Sequence, residues 1–164
     1  MKTIEKKPVS VGKFVTTKHV DTVIRNYKQE RWIQNSERLG KEDSLSGWWS
    51  IEEIESFLET AKMHNADGIK LYFGAYDKNY QEKPEYAGLQ TIVMVATKQK
   101  EGTYGTTINK DVYVTGENGN NILAYNMVQL CPPYCGKNPP NTIFDDVEVG
   151  VSIIDRGEKG MVVI

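Results

Sequence analysis

The residues with the clearest potential for chemistry are Cys131 and Cys135, which lie in the proline-rich segment LCPPYCGKNPPN. Thiol exchange needs an accessible thiolate and a second thiol close by, commonly in a Cys-x-x-Cys at the start of a helix. Here three residues separate the cysteines, and Pro132 and Pro133 oppose a helix across the pair. We therefore interpret the segment as a rigid turn whose cysteines are small, semi-buried apolar side chains. Thiol chemistry at Cys131 and Cys135 is the alternative.

A metal site is also disfavoured by the residues available. Structural zinc takes four Cys or His ligands, and the chain offers His19 and His64 besides the two cysteines. The histidines fall on different predicted helices without paired spacing. We predict no metal and no other cofactor, and Cys131 and Cys135 are the candidate ligands if a metal is bound.

Aromatic residues carry the favoured functional hypothesis. Most aromatic side chains belong to a protein core, but an exposed group of Tyr and Trp residues anchors protein partners. We therefore predict a non-catalytic protein-binding module with a Tyr-rich strand and loop surface beside the cysteine turn. The partner is a protein of unspecified identity, and a homodimer is compatible with the sequence. The predicted surface residues are Trp48, Tyr72, Tyr76, Tyr80, Tyr86 and Tyr134. An enzyme with a small-molecule pocket lined by Tyr72, Tyr76 and loop carboxylates is a further alternative.

Composition limits the classes of protein that need to be considered. With 164 residues, 39% apolar and 26% charged, the chain fits one globular domain over 1–164. The net charge of −2, without a concentrated basic patch, argues against a nucleic-acid partner. No stretch has the apolar length of a membrane span, and residues 1–10 read as a disordered tail rather than a secretory signal. We therefore expect a cytoplasmic protein, in which a disulfide would not persist.

Two helices are predicted to position these residues. Val20, Val23, Ile24 and Tyr27 share one helical face of a helix over 17–34, and a mobile loop is expected over 35–47. The second helix follows Ser50, which stands three residues before Glu53 in the spacing of a capping box, and the helix stops before Gly68.

The remaining chain has the patterns of strands. IKLYFGAY alternates apolar and other residues, whereas LQTIVMVATK has the continuous apolar centre of an interior strand. DVYVT and ILAYNMVQL follow as shorter strands, and residues 144–164 read as a hairpin around RGEKG. The sequence thus predicts an α+β fold, with a mainly antiparallel sheet of about five strands and one or two packed helices.

Four of these blocks, WWSIEEIE, GIKLYFGAY, LQTIVMVAT and LCPPYCG, together resemble a family of small bacterial proteins to which no activity is assigned. The resemblance covers the chain from about Trp48 to Gly136. It implies a bacterial cytosolic protein and supplies no catalytic residue.

Overall fold

The computed structural model describes residues 10–135, 153–155 and 161–163. Within them the fold is α+β with antiparallel sheets, as predicted. In this part of the chain, α-helical structure occurs in two stretches, one of which contains a π-helical turn between two α-helices. Short 3-10 helices also occur at Pro84–Tyr86 and Thr103–Gly105. The helices are α1 (Thr17–Tyr27), the π turn (Lys28–Trp32), α2 (Ile33–Leu39) and α3 (Ile51–Met63).

Four of the described strands form the main sheet. Its order is β2-β3-β4, and β7 also pairs with β3, beyond the end of β4. Two-stranded ladders join β1 to β8, β5 to β6 and β9 to β10, and every pairing is antiparallel. The strands are β1 (Ser46–Trp48), β2 (Gly68–Ala75), β3 (Gln90–Glu101), β4 (Thr107–Asp111), β5 (Tyr113–Gly116), β6 (Gly119–Ile122), β7 (Ala124–Tyr125), β8 (Gln129–Cys131), β9 (Ile153–Asp155) and β10 (Met161–Val163).

Helix α3 begins with the predicted capping box. The Ser50 hydroxyl accepts from the Glu53 N–H at 3.1 Å, and the Glu53 carboxylate accepts from the Ser50 N–H at 2.9 Å. The same carboxylate accepts a bond from the Tyr125 hydroxyl at 3.1 Å. The Ser50 N–H bond, with the bonds from Tyr125 and the Ser50 side chain, holds the pKa of Glu53 below its usual value. The start of α3 is therefore tied to β7.

Two apolar clusters form the core of the described chain. The first lies between α3 and β3 and contains Phe57, Ala61, Met94 and Ala96. The second contains Tyr86, Leu89, Val128 and Leu130 and joins the loop before β3 to β8. Trp49 packs against both clusters, so the residue before the Ser50 cap links them.

The segment 35–47 differs from the predicted loop. The helix continues through the π turn to Leu39 and ends at Gly40, which adopts the left-handed conformation that glycine tolerates. Asp43 and Ser44 are buried, and one Asp43 carboxylate oxygen accepts backbone N–H bonds from Ser44 and Gln90. The first helical stretch is thus longer than predicted, and the segment after it is bonded to the start of β3.

The segment predicted as one strand, ILAYNMVQL, is divided into the end of β6, β7 and β8. Met127 separates β7 from β8 with a φ of 63°, a conformation that interrupts a strand. The final hairpin is confirmed for β9 and β10, which pair in antiparallel register. Residues 144–152, 156–160 and 164 of that prediction, which include the RGEKG turn, lie outside the described residues.

None of the helices in the described ranges combines the length and the apolar character needed to cross a bilayer.

Candidate functional site

Strand β2 forms an edge of the main sheet. It pairs with β3 along its length, from Gly68 opposite Thr97 to Ala75 opposite Gln90. Among the described strands, none pairs with the outer side of β2. Within the described part of the chain, this eight-residue strand therefore has one side without a partner strand.

The backbone groups on that outer side can be assigned from the ladder. Just past the end of β2, the Tyr76 N–H donates to the Leu89 carbonyl at 3.0 Å. Because antiparallel ladders alternate, every second residue counted back from Tyr76 also bonds to β3, and the residues between them turn their N–H and C=O away. The outward residues are Ile69, Leu71, Phe73 and Ala75.

Large side chains flank this free edge on both faces. Leu71 and Phe73 lie on the sheet face that carries α3, yet they are 54% and 82% exposed. On the opposite face Tyr72 is 41% exposed. The edge strand contains no proline, and its sole charged residue is Lys70. Edge strands usually contain proline or several charged residues, which prevent pairing with other chains, and β2 has few of these protective features.

Tyr72 is held in place by a polar cluster across the sheet. Its hydroxyl donates to the Asp111 carboxylate at 2.9 Å, and the Lys70 ammonium bonds the same carboxylate at 2.8 Å. Lys70 also donates to the Tyr72 hydroxyl at 3.1 Å. The bond from Lys70 lowers the pKa of Asp111, and the bond to Asp111 raises the pKa of Lys70. The exposed Tyr72 ring is therefore ordered before any partner arrives.

The other predicted tyrosines form one aromatic stack beyond the end of β2. The ring centroids of Tyr80 and Tyr76 are 4.6 Å apart, those of Tyr76 and Tyr86 are 5.6 Å apart, and those of Tyr86 and Tyr134 are 5.9 Å apart. Tyr86 is 0% exposed, so its assignment to an exposed surface is corrected. Its ring supports the half-buried Tyr76 and Tyr134 from within.

The outer end of this tyrosine stack is polar. The Tyr134 hydroxyl donates to the Glu85 carboxylate at 2.5 Å. That bond lowers the pKa of Glu85 and raises the pKa of Tyr134 to about 12. The physical cause is the same for both groups, because the bond needs a protonated phenol and an ionised carboxylate.

This pair leads to a titration prediction. Subtracting the tyrosinate absorbance titration of a Tyr134→Phe variant from that of the native protein should leave one phenol with a midpoint at about 12, rather than at the ordinary 10.0.

A group whose pKa rises on folding adds stability below its unfolded pKa, and that stability disappears as the pH rises through the folded value. Stability lost between pH 10 and 12 should therefore be smaller in Tyr134→Phe. A Tyr104→Phe variant, at a fully exposed ring, is the control. A difference midpoint near 10 would contradict the bond.

The cysteine turn contains a bond that the sequence did not predict. Cys131 and Cys135 form a disulfide, with their Cα atoms 4.7 Å apart. The expectation of two free, apolar thiols is thus corrected, and each sulfur has the other as its partner. Among the described residues, no three His, Cys, Asp or Glu side chains are grouped as a metal site would require. The bridge closes the turn after β8, and the Tyr134 ring within it packs on Tyr86.

The predicted surface is therefore divided among three places. Four tyrosines form the stack, Tyr72 stands on β2 with Lys70 and Asp111, and the exposed Trp48 pairs with Gln129 in the ladder between β1 and β8. The prediction missed Leu71 and Phe73, because their alternation in the sequence marks a core-facing side. A recognisable signal was the near absence of charge in GIKLYFGA, which is unusual for an edge strand.

A pocket of about 20 Å³ lies elsewhere, between the segment before β1 and the start of β3. Its volume is of the order needed for a single water molecule. Neither Tyr72 nor Tyr76 lines it, so it lends no support to the alternative of a tyrosine-lined enzyme pocket. Its lining is formed by Ser44, Leu45, Ser46, Gly47, Gln90, Thr91, Ile92 and Leu130.

No family model, curated protein or solved structure matches the chain. The resemblance to a bacterial family therefore stays a prediction, and functional inference rests on the geometry described above.

Proposed function

We propose that this protein is a non-catalytic binding module that takes up an extended segment of another polypeptide along the outer edge of β2. The observation that carries the proposal is the outer edge of β2, with which no other described strand pairs. Its outward N–H and C=O groups lie between the exposed side chains of Leu71, Tyr72 and Phe73. Strand addition of this kind obtains affinity from main-chain hydrogen bonds and selectivity from alternate side chains.

The chemistry of the two faces defines the segment that fits. On the α3 face, Leu71 and Phe73 favour apolar side chains at alternate positions of the incoming strand, since these would cover exposed apolar area. On the other face, the ordered Tyr72 ring offers a rigid contact that loses little rotamer freedom on binding. The tyrosine stack supports the proposal indirectly, because it anchors Tyr76 immediately after β2.

The proposal is tested by a photo-crosslinking amino acid, p-benzoylphenylalanine, placed at position 73 or at position 104 in the full chain. Phe73 and Tyr104 are both strongly exposed aromatic residues, at 82% and 100%. The turn that contains Tyr104 follows β3 at the end remote from Ile92, the residue opposite Phe73. We expect the crosslinker at position 73 to form adducts with another polypeptide chain, and the crosslinker at position 104 to form few. Changing Leu71 to lysine should abolish the adducts at position 73.

Equal adduct yields at positions 73 and 104, or no adduct at position 73, would overturn the proposal. So would a Leu71→Lys variant that crosslinks as well as its parent, because a charge beside the edge should oppose strand pairing.

A further inference from the structure

We infer that the polypeptide bound at β2 is β2 of a second copy of this chain. This inference rests on the proposed function and names its partner. The two β2 strands would run antiparallel across a two-fold axis at Tyr72, joining two four-stranded sheets into one continuous sheet. The evidence is the self-complementarity of β2 in this register.

The ladder permits this register. On the outer side of β2, Leu71 and Phe73 expose their N–H and C=O groups, whereas Tyr72 bonds inward to β3. A two-fold at Tyr72 places Leu71 opposite Phe73 of the second copy, and Phe73 opposite its Leu71. The outward N–H and C=O groups of one copy then face the outward C=O and N–H groups of the other on both sides of the axis, as an antiparallel ladder requires.

Side chains match on the α3 face. The two Leu71–Phe73 pairs lie next to each other around the axis and form one apolar group from four exposed side chains. Aromatic and aliphatic residues in direct cross-strand positions stabilise a sheet by about 0.2–1 kcal/mol per pair. Further out, Ile69 faces Ala75 of the second copy, so that a large side chain meets a small one.

Size and charge also match on the opposite face. Tyr72 lies opposite its own equivalent, and Lys70 lies opposite Gly74, where no side chain competes for space. The two lysines are then separated by about four residues along the strand, or roughly 13 Å. Each lysine keeps its own Asp111 partner at 2.8 Å. No like charges are therefore forced together, whereas directly opposed like charges would destabilise the pairing.

A cysteine at the axis tests this register. In the dimer, residue 72 occupies a non-hydrogen-bonded pair with itself, at a Cα separation of about 4.5 Å, within the range of a disulfide. Oxidation of Tyr72→Cys should give a crosslinked species of twice the chain mass of 18.6 kDa. Peptide mapping without reduction would locate the new bridge at position 72 and verify that Cys131 remains paired with Cys135.

Gly74→Cys is the matched control, because an added Cβ at Gly74 meets only an ordinary contact with Thr91 at 3.6 Å. The two copies of residue 74 should be about 13 Å apart, so we expect about ten-fold less crosslinked dimer. Mixing Gly74→Cys with Lys70→Cys should restore crosslinking between the two variants. Equal yields for Tyr72→Cys and Gly74→Cys, or no crosslink at position 72, would overturn the register.

Sedimentation of the native protein supplies a test without new cysteines. We expect a concentration-dependent dimer that Phe73→Lys dissociates and Tyr104→Lys does not. A native protein that stays monomeric while position 73 crosslinks to other proteins would overturn the second-copy inference and leave the proposed function standing. Absence of any adduct at position 73 would remove both, and so would a crosslink confined within one chain.

Discussion

The substitution Tyr86→Ala should lower the free energy of unfolding by about 4 kcal/mol, a value typical of buried aromatic side chains that are truncated to alanine. Tyr86 is 0% exposed and belongs to the second apolar cluster with Leu89, Val128 and Leu130. Its ring also contacts the rings of Tyr76 and Tyr134. Truncation therefore leaves a cavity and removes the support beneath two half-buried tyrosines. Urea unfolding would measure the loss as a lower midpoint at an unchanged slope.

The Tyr86 hydroxyl contributes to the free energy of unfolding separately from the ring. It accepts a hydrogen bond from the backbone N–H of Leu130 at 3.2 Å. Tyr86→Phe keeps the ring and leaves that buried N–H without its acceptor, so we expect a loss of about 1–2 kcal/mol. Tyr104→Ala, at a fully exposed ring, should stay within about 0.5 kcal/mol of the native protein. If Tyr86→Ala cost no more than Tyr104→Ala, the central position of this ring in the second cluster would be wrong.

Sequence patterns predicted the structure correctly where the interacting residues are close in sequence. The capping box of α3 depends on Ser50 and Glu53, three positions apart, and it forms as predicted. The alternation of β2 and the continuous apolar centre of β3 likewise identified the two strands of the main pairing. These features need no knowledge of the remaining chain.

Exposure depended on contacts that no local pattern contains. Alternation places Leu71 and Phe73 on one face of β2, but it cannot tell how far α3 covers that face. Tyr86 sits in a short loop of polar residues, and its burial results from packing against Val128 and Leu130 more than forty positions later. The binding surface that we propose is therefore the edge of β2, whereas the sequence hypothesis located it at the tyrosines.

Distances between residues that are joined by irregular backbone could not be predicted from the sequence either. The spacing of Cys131 and Cys135 does not determine their Cα separation, because the path of the intervening residues decides whether the sulfurs meet. The same argument applies to Asp43, a charged residue in a polar segment that reads as a surface loop. Its burial follows from hydrogen bonds to β3, which lies far along the chain.

Asp43→Ala is expected to be the most damaging change at a polar residue. One carboxylate oxygen accepts the Gln90 N–H at 2.7 Å and the Ser44 N–H at 2.8 Å. Around the same residue, the Trp32 indole N–H donates to the Asp43 carbonyl at 2.7 Å. Removing the carboxylate leaves two backbone donors without partners in a buried position. Since hydrogen bonds to a charged group contribute about 1.5–3 kcal/mol each and do not add fully, we expect a loss of about 3 kcal/mol.

The conservative change Asp43→Asn isolates the cause. Both N–H bonds end on a single oxygen, so an amide oxygen in the same place can accept both, and the expected loss falls to about 1 kcal/mol. Glu42→Ala, at the exposed neighbouring residue, should change the stability by less than about 0.5 kcal/mol. Urea unfolding followed by Trp fluorescence measures all three variants. If Asp43→Asn lost as much stability as Asp43→Ala, the negative charge itself would be required. If neither variant lost stability, the 35–47 segment would not be anchored to β3 through this carboxylate.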